Sequence, residues 1–207
     1  ALARAAVGDF EGADQILSGA AFGPLGASER TVRAHAEILE QLDRRADALQ
    51  LLDLFTASVP DPGVLALQAE IAARDKAPLY GFITTAEQGL AEVFYTIARA
   101  LRGEGGSTTL PLLYARAANG IDPTHSEALL LTGQLLMEAE QFALAADAFA
   151  EVPQDDAQFV AAQMGRADAY LAETRDAEAI ATLSALAEAH GDLATVQAAL
   201  GDALRRT

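Results

Sequence analysis

The chain repeats one pattern of small and bulky residues every 34 positions, and this repeat limits its fold more than any other feature. A small residue recurs at Gly133, Ala167 and Gly201. A bulky apolar residue follows three positions later, at Leu136, Tyr170 and Leu204. A small residue lets two helices approach closely, and a large residue one turn later fills the space beside the contact. The period therefore predicts a series of helix pairs that stack on one another.

The second helix of each predicted pair carries columns of its own. Ala145 and Ala179 are small, and Phe149 and Leu183 are bulky, again 34 residues apart. Looser copies of the pattern lie upstream, over residues 34–60 and 8–17. Residues 94–101 fit a further first helix, with residues 110–119 as its second helix.

These columns resemble the repeat of the tetratricopeptide repeat (TPR) family, most clearly over residues 124–207. The resemblance implies an all-α fold, a right-handed α-solenoid of TPR-like helix hairpins with one irregular insertion. The first-helix tryptophan of the family pattern is missing, because the chain has no tryptophan. Phe94 and Leu129 stand in its place, whereas Gln163 and Gln197 depart from it.

Three segments follow from the repeat and its interruptions. Residues 1–60 are predicted to form degenerate N-terminal TPR-like helix pairs. Residues 61–90 are predicted to form a spare helix from Gly63 to Arg74 and then an irregular, extended connection over residues 75–85, where proline, glycine and β-branched residues gather. Residues 91–207 are predicted to form C-terminal TPR-like repeats, the last of them truncated.

Capping residues support several of these helix boundaries. Ser28 is a plausible N-cap of the helix that follows it. Residues 124–127, Thr-His-Ser-Glu, can form a capping box, with Asp122 before Pro123 as an alternative cap. Residues 155–158 offer another capping box.

A narrower resemblance concerns residues 87–95 and 112–116, which look like a group of alphaproteobacterial TPR-containing proteins. The ratio of thirteen arginines to one lysine suits a GC-rich bacterial genome. The resemblance implies a bacterial source, with either a cytoplasmic or a periplasmic location. Ala1 is not a natural start, and residues 204–207 stop within a helical pattern, so we expect a piece of a longer protein.

Charge and composition narrow the classes of partner. The formal net charge is −16, which disfavours nucleic acid and anionic membrane surfaces. No apolar run reaches the roughly 18 residues that span a bilayer, so no direct membrane insertion is expected. The chain has no cysteine, which excludes disulfides, thiolate catalysis and zinc–thiolate sites.

No residue pattern favours an enzyme, and we expect no catalytic residue, metal ion or cofactor. His35, His125 and His190 are far apart and lack the spacing of metal ligands. Residues 103–107 superficially resemble a phosphate loop but lack its lysine, so a turn capped by Ser107 or Thr108 is the better interpretation. Paired acids such as Asp155–Asp156 and Glu138/Glu140 are interpreted as caps and wet surface.

The family resemblance places binding on the concave side, which the first helix of each pair lines. The positions that match groove-lining positions include apolar, acidic and basic residues. They are Tyr95, Arg99, Arg102, Leu130, Gln134, Met137, Glu138, Met164, Asp168, Leu171 and Asp202. TPR domains that clasp chaperone C-terminal carboxylates carry lysines and asparagines here, so we expect no binding of an acidic tail. An alternative is that Leu130 and Met164 only pack against neighbouring helices.

We therefore expect a non-enzymatic scaffold that holds a protein or peptide in a concave groove. A partner with an apolar stripe and a basic C-terminal portion suits these residues. Two alternatives stay open: the recognition arm of a larger enzyme, and a module that self-associates. The largely apolar pattern of residues 196–204 predicts that the C-terminal end is covered, either by another chain in a homo-oligomer or by a continuation of this one.

Overall fold

A computed structural model describes residues 1–19, 29–58, 61–73, 80–103, 106–191 and 193–206. Every regular element within these ranges is an α-helix, so the predicted all-α class is confirmed. In chain order the helices are α1 (Leu2–Ala5), α2 (Phe10–Leu17), α3 (Glu29–Gln41), α4 (Arg45–Thr56), α5 (Pro62–Ala73), α6 (Ala86–Gly103), α7 (Thr109–Ile121), α8 (Ser126–Glu138), α9 (Phe142–Ala150), α10 (Phe159–Ala172), α11 (Asp176–Ala189) and α12 (Ala194–Arg206).

The chain divides into two compact units, Ala1–Gly89 and Leu90–Thr207, so the division falls within α6. In the first unit α2 packs on α3, α3 on α4, and α5 on both α3 and α4. In the second unit each helix from α7 to α12 packs on the next, and α10 also contacts α8 and α12. This succession is that of stacked helix pairs, with α8, α10 and α12 as neighbouring first helices.

The turns inside the helix pairs share one backbone geometry. Asp43, Glu140 and Thr174 have φ angles of 57°, 57° and 58°, and each lies two residues before the second helix of its pair. The next amide N–H reaches back to a carbonyl five residues earlier, as from Gln141 to Leu136 at 2.8 Å. These are the left-handed residue and the 6→1 hydrogen bond of a Schellman motif, which ends the first helix.

Phe149 organises the core of the second unit. Its side chain is 1% exposed, and its ring lies against Gly133 of α8 and against Gly165 of α10. One bulky side chain of a second helix thus fills the space between two successive first helices. Ala145, Ala167 and Ala179 are fully buried in the same core, as the repeat columns predict.

The last member of each first-helix column has different surroundings. A Cβ atom on Gly201 would meet nothing within 4 Å, and Leu204 is 51% exposed. The equivalent Leu136 and Tyr170 are 1% and 8% exposed.

Two of the predicted caps are wrong. The N-cap of α8 is His125 rather than Thr124, and its ring Nδ1 accepts the Ala128 N–H at 3.3 Å. Helix α10 begins after Gln158 without a side-chain cap. Asp156 instead accepts the Gln158 N–H through one carboxylate oxygen and the hydroxyl of Ser126 through the other, at 2.7 Å each, so it ties α10 to α8.

Other predicted boundaries have mixed outcomes. The Ser107 hydroxyl accepts the Thr109 N–H at 3.3 Å, so it caps α7, whereas the side chain of the N-cap Thr108 makes no such bond. Helix α5 matches the predicted spare helix to within a residue at each end. Ser28, Arg74, residues 75–79 and residues 104–105 lie outside the described residues.

The first unit has an apolar core between α3, α4 and α5, in which Leu52, Val64 and Ile71 are fully buried. The carboxylate of Glu40 lies at its edge and is only 1% exposed. Both of its oxygens bind the guanidinium of Arg45, at 3.3 and 3.2 Å. This two-point ion pair compensates a buried charge where α3 turns into α4.

Candidate partner-binding face

The predicted groove residues lie on first helices of the second unit, and we call the side that carries them the first-helix face. On α8 it consists of Leu130, Gln134, Met137 and Glu138, which are one or two helical turns apart. On α10 it consists of Met164, Asp168 and Leu171. Because α8 packs on α10, the two sets of side chains belong to neighbouring helices.

Arg102 joins α6 to the α8 part of this face. Its guanidinium donates to Gln134 Oε1 at 2.5 Å and to Glu138 Oε1 at 2.6 Å. Gln134 and Glu138 therefore have a partner within the unit. The Arg102–Glu138 pair is more than a third exposed on both sides, so it stabilises the fold by less than about 1 kcal/mol. A charged group of a ligand could therefore replace one member of this ion pair at a small cost in free energy.

The apolar side chains of the face are half-buried. Leu130, Met137 and Leu171 pack against the core around Phe149 while keeping part of their surface open. Met164 is also half-buried. The partial burial of Leu130 and Met164 is compatible both with packing against neighbouring helices and with contact to a partner.

The carboxyl of Asp168 is both exposed and partly desolvated. The residue is exposed, yet loss of solvation to surrounding atoms raises the pKa of its carboxyl above 3.8. A carboxyl open to water on one side and enclosed on the others has both properties. Among the described residues, no hydrogen bond or ion pair to Asp168 compensates its charge.

Tyr95 and Arg99 of α6 are placed differently from each other. Tyr95 is 8% exposed, and its ring lies 4.9 Å from the His125 ring, within the core shared by α6, α7 and α8. Arg99 is exposed, with its guanidinium carbon 5.7 Å from the Tyr95 ring centroid. Arg99 is therefore open to solvent, whereas Tyr95 belongs to the core.

The α12 part of the face has one charge pair and one hydrogen bond to α10. Asp202 is exposed and is paired with Arg205 one turn later. Arg206 donates to the main-chain carbonyl of Leu171 at 3.2 Å, which ties the end of α12 to the end of α10. The Asp202–Arg205 pair lies within α12, so only the exposed Arg206 contact joins this part of the face to α10, and it does so weakly.

Two of the three histidines, His35 and His125, have structural partners. His35 Nε2 lies 2.8 Å from Asp14 Oδ1, and His125 Nε2 lies 3.2 Å from Glu92 Oε2. Hydrogen bonds from His35, Ser18 and Arg44 outweigh burial and lower the pKa of Asp14. The His125–Glu92 pair is buried and joins α6 to the start of α8; its residues are 33 positions apart, so no local motif marks it.

Comparison with known proteins gives a fold-level likeness. No protein-family model matches the sequence, and no curated protein matches it. The chain is similar to solved structures. Eight solved chains match, among them a TPR2AB-domain:pHSP90 complex of yeast Sti1. That match has 14% identity and a TM-score of 0.43, and it covers 98% of this chain and 82% of that chain.

Within the described ranges, no three His, Cys, Asp or Glu side chains gather in a group that could hold a metal ion. No helix in the same ranges is long and apolar enough to cross a membrane.

One contact beside the face was not predicted from the sequence: Gly165, next to Met164, packs on Phe149 and brings α10 close to α9. A glycine inside a helical pattern was the available signal.

Proposed function

We propose that the chain is a non-enzymatic scaffold that binds a peptide or a partner helix on the first-helix face. The observation that carries the proposal is Asp168, an open but partly desolvated carboxyl without a described partner, on the same face of α10 as Met164 and Leu171. A ligand cation would restore the interactions that the carboxylate has lost with water. The half-buried apolar side chains beside it would contact an apolar stripe.

The chemistry of the face favours a basic partner over an acidic one. Glu138 is paired with Arg102 and Asp202 with Arg205, so among the described carboxylates of the face Asp168 is the one available to a basic group of the partner. The net charge of −16 attracts cationic ligands at long range and raises their association rate. Arg99 is the exposed cation at the α6 end, where it could meet a carboxylate of the partner.

The experiment is a pull-down from the source bacterium followed by titration of the captured partner. Leu130→Glu and Met164→Glu place a charge in the proposed contact, and each should weaken binding about tenfold or more. Leu144→Glu is the matched control, because Leu144 is 44% exposed on the second helix α9. If both face variants fold and keep every partner, the proposal fails.

Asp168 gives a second test that does not disturb the core. Asp168→Asn should weaken binding of a basic partner and reduce its dependence on salt, because one ion pair is lost. Asp147→Asn removes an exposed carboxylate from α9 and should change neither. Equal effects of the two variants would mean that net charge, and not this face, attracts the partner.

A second candidate function is self-association through α12. The observation in its favour is the open surface over Gly201 together with the half-exposed Leu204. Light scattering across a concentration series would detect a dimer, and Leu204→Glu should abolish it. A monomer at the highest concentration, with α12 ordered, would contradict this candidate.

A further inference from the structure

The non-helical residues between α5 and α6 make specific contacts with α3 in the first unit. The main-chain N–H groups of Gly81 and Phe82 both donate to one oxygen of the Glu37 side chain, at 3.1 Å each. Glu37 is 44 residues from Gly81 in the sequence. A single carboxylate oxygen of α3 thus accepts two consecutive amides of a non-helical segment that bends at Phe82.

The side chains on either side of these amides are also bound. The guanidinium of Arg30 lies 4.8 Å from the Phe82 ring centroid, a cation–π contact. The Tyr80 ring packs edge-on against Phe10, with 5.7 Å between ring centroids. Ile83 is 2% exposed. Residues 80–83, which we call the 80–83 segment, are therefore held through both main chain and side chains.

The surface beneath the 80–83 segment has the composition of a binding site. Ala5, Ala13 and Ile38 are almost fully buried and form an apolar floor that Tyr80 helps to cover. Arg30 and Glu37 lie two helical turns apart on α3 and supply one cation and one acceptor. A carboxylate that accepts main-chain N–H groups beside an apolar surface is a combination that can bind a peptide segment.

We propose that this surface, the α3 site (Phe10, Arg30, Glu37 and Ile38), is a peptide-binding site that the 80–83 segment occupies as an internal ligand. Its external ligand is a short non-helical peptide with two aromatic side chains separated by one small residue and followed by an aliphatic one. We infer this preference from the order of residues in the 80–83 segment, Tyr-Gly-Phe-Ile. The site lies wholly in the first unit and does not depend on the first-helix face.

An internal ligand competes strongly because it is tethered. Its effective concentration is of the order of millimolar, so a free peptide of equal affinity binds only at comparable concentrations. Weakening the contacts of the 80–83 segment should therefore expose the site. While the 80–83 segment is bound, the α3 site is filled and no other ligand can enter it.

The test uses the full chain and a fluorescent peptide with the sequence of residues 80–85. Binding is followed by fluorescence polarisation. The double variant Tyr80→Ala/Phe82→Ala should bind the peptide at least about tenfold more tightly than the unaltered chain. Leu65→Ala, a change at an exposed residue of α5, is the matched control and should bind like the unaltered chain. A peptide with the same residues in scrambled order should not bind.

Substitutions at Glu37 separate a binding site from a merely structural contact. In the double-variant background, Glu37→Ala removes the acceptor of both amides and should abolish peptide binding. Glu37→Gln keeps a carbonyl acceptor and should retain most of it. A folded double variant that binds the peptide no better than the unaltered chain would overturn the proposal.

A second measurement keeps the proposal testable if the double variant does not fold. In the unaltered chain, hydrogen exchange of the Gly81 and Phe82 amides should be slow and should accelerate when the peptide is added at millimolar concentration. Exchange that peptide does not change would mean that the segment is a fixed part of the fold and the α3 site takes no ligand in trans.

Discussion

The ring of Phe149 lies so close to Gly133 that a Cβ atom at position 133 would be 2.6 Å from its Cδ1 atom. Real Cβ atoms do not approach ring carbons so closely, so any side chain here must displace the ring or the helix. Phe149 is 1% exposed, and its ring also lies against Gly165 of α10, so it is enclosed between two helices. At position 133 the small residue of the repeat is therefore a steric requirement of the contact between α8 and α9.

Gly133→Ala should destabilise the chain by about 1–3 kcal/mol, because overpacking outweighs the gain in helix propensity. Equilibrium denaturation with urea measures the difference. Gly201→Ala is the matched control; its Cβ would meet nothing within 4 Å, so it should stabilise α12 by up to about 1 kcal/mol. Adding Phe149→Leu to Gly133→Ala should recover part of the loss, and equal effects at positions 133 and 201 would contradict the contact.

Thr174→Gly should stabilise the chain by about 1 kcal/mol. Thr174 is β-branched and adopts a φ of 58°, a conformation that costs a non-glycine residue roughly 1–3 kcal/mol, whereas glycine adds about 0.5–1 kcal/mol of backbone entropy. Thermal unfolding would measure the change. Ala177→Gly, an exposed position in the first turn of α11, should have the opposite sign. A loss of stability at Thr174 would mean that the left-handed turn is not formed.

Arg45→Met should cost about 2–4 kcal/mol, because it leaves the buried Glu40 carboxylate without its cation while keeping the apolar stem. Chemical denaturation of the variant is the measurement. Arg205→Ala breaks the exposed pair with Asp202 and should cost less than about 1 kcal/mol. Replacing Glu40 and Arg45 together by leucine and methionine should restore most of the stability, and a double variant as unstable as Arg45→Met would count against a charge-desolvation cause.

Burial raises the pKa of Glu37 above its ordinary 4.5, although the Gly81 and Phe82 amides and nearby Arg33 act in the opposite direction. A carboxyl with a raised pKa in the folded state favours folding while it is protonated. Its contribution is fully present below pH 4.5 and is lost as the pH rises through the folded-state pKa. Stability should therefore fall across this window for the unaltered chain.

Glu37→Gln is neutral at all pH values, so the free energy of unfolding of this variant should lack that fall. The quantity to compare is the change in unfolding free energy between pH 4.5 and neutrality, measured by urea denaturation. Glu11→Gln removes an exposed carboxylate of α2 and serves as the control. Parallel curves for the unaltered chain and Glu37→Gln would refute the assignment.

The first-helix face was predictable in outline because it follows from helix register. Met164, Asp168 and Leu171 share one face of α10 whatever surrounds the helix. Their surroundings were not predictable. Arg102 reaches Gln134 and Glu138 from another helix, and burial of the Tyr95 ring depends on the position of His125, 30 residues away.

The amino-acid sequence by itself determined the all-α class, the helix pairs and the columns that pack them, because these depend on spacing within single helices and between nearest neighbours in the chain. Tertiary structure alone decided that His125 pairs with Glu92, that Gly165 receives the Phe149 ring and that Glu37 holds two distant amides. Such contacts join residues whose separation in the chain carries no periodic signal. Their stability depends on burial and on the orientation of groups from different helices, which the spacing of residues along the chain does not specify.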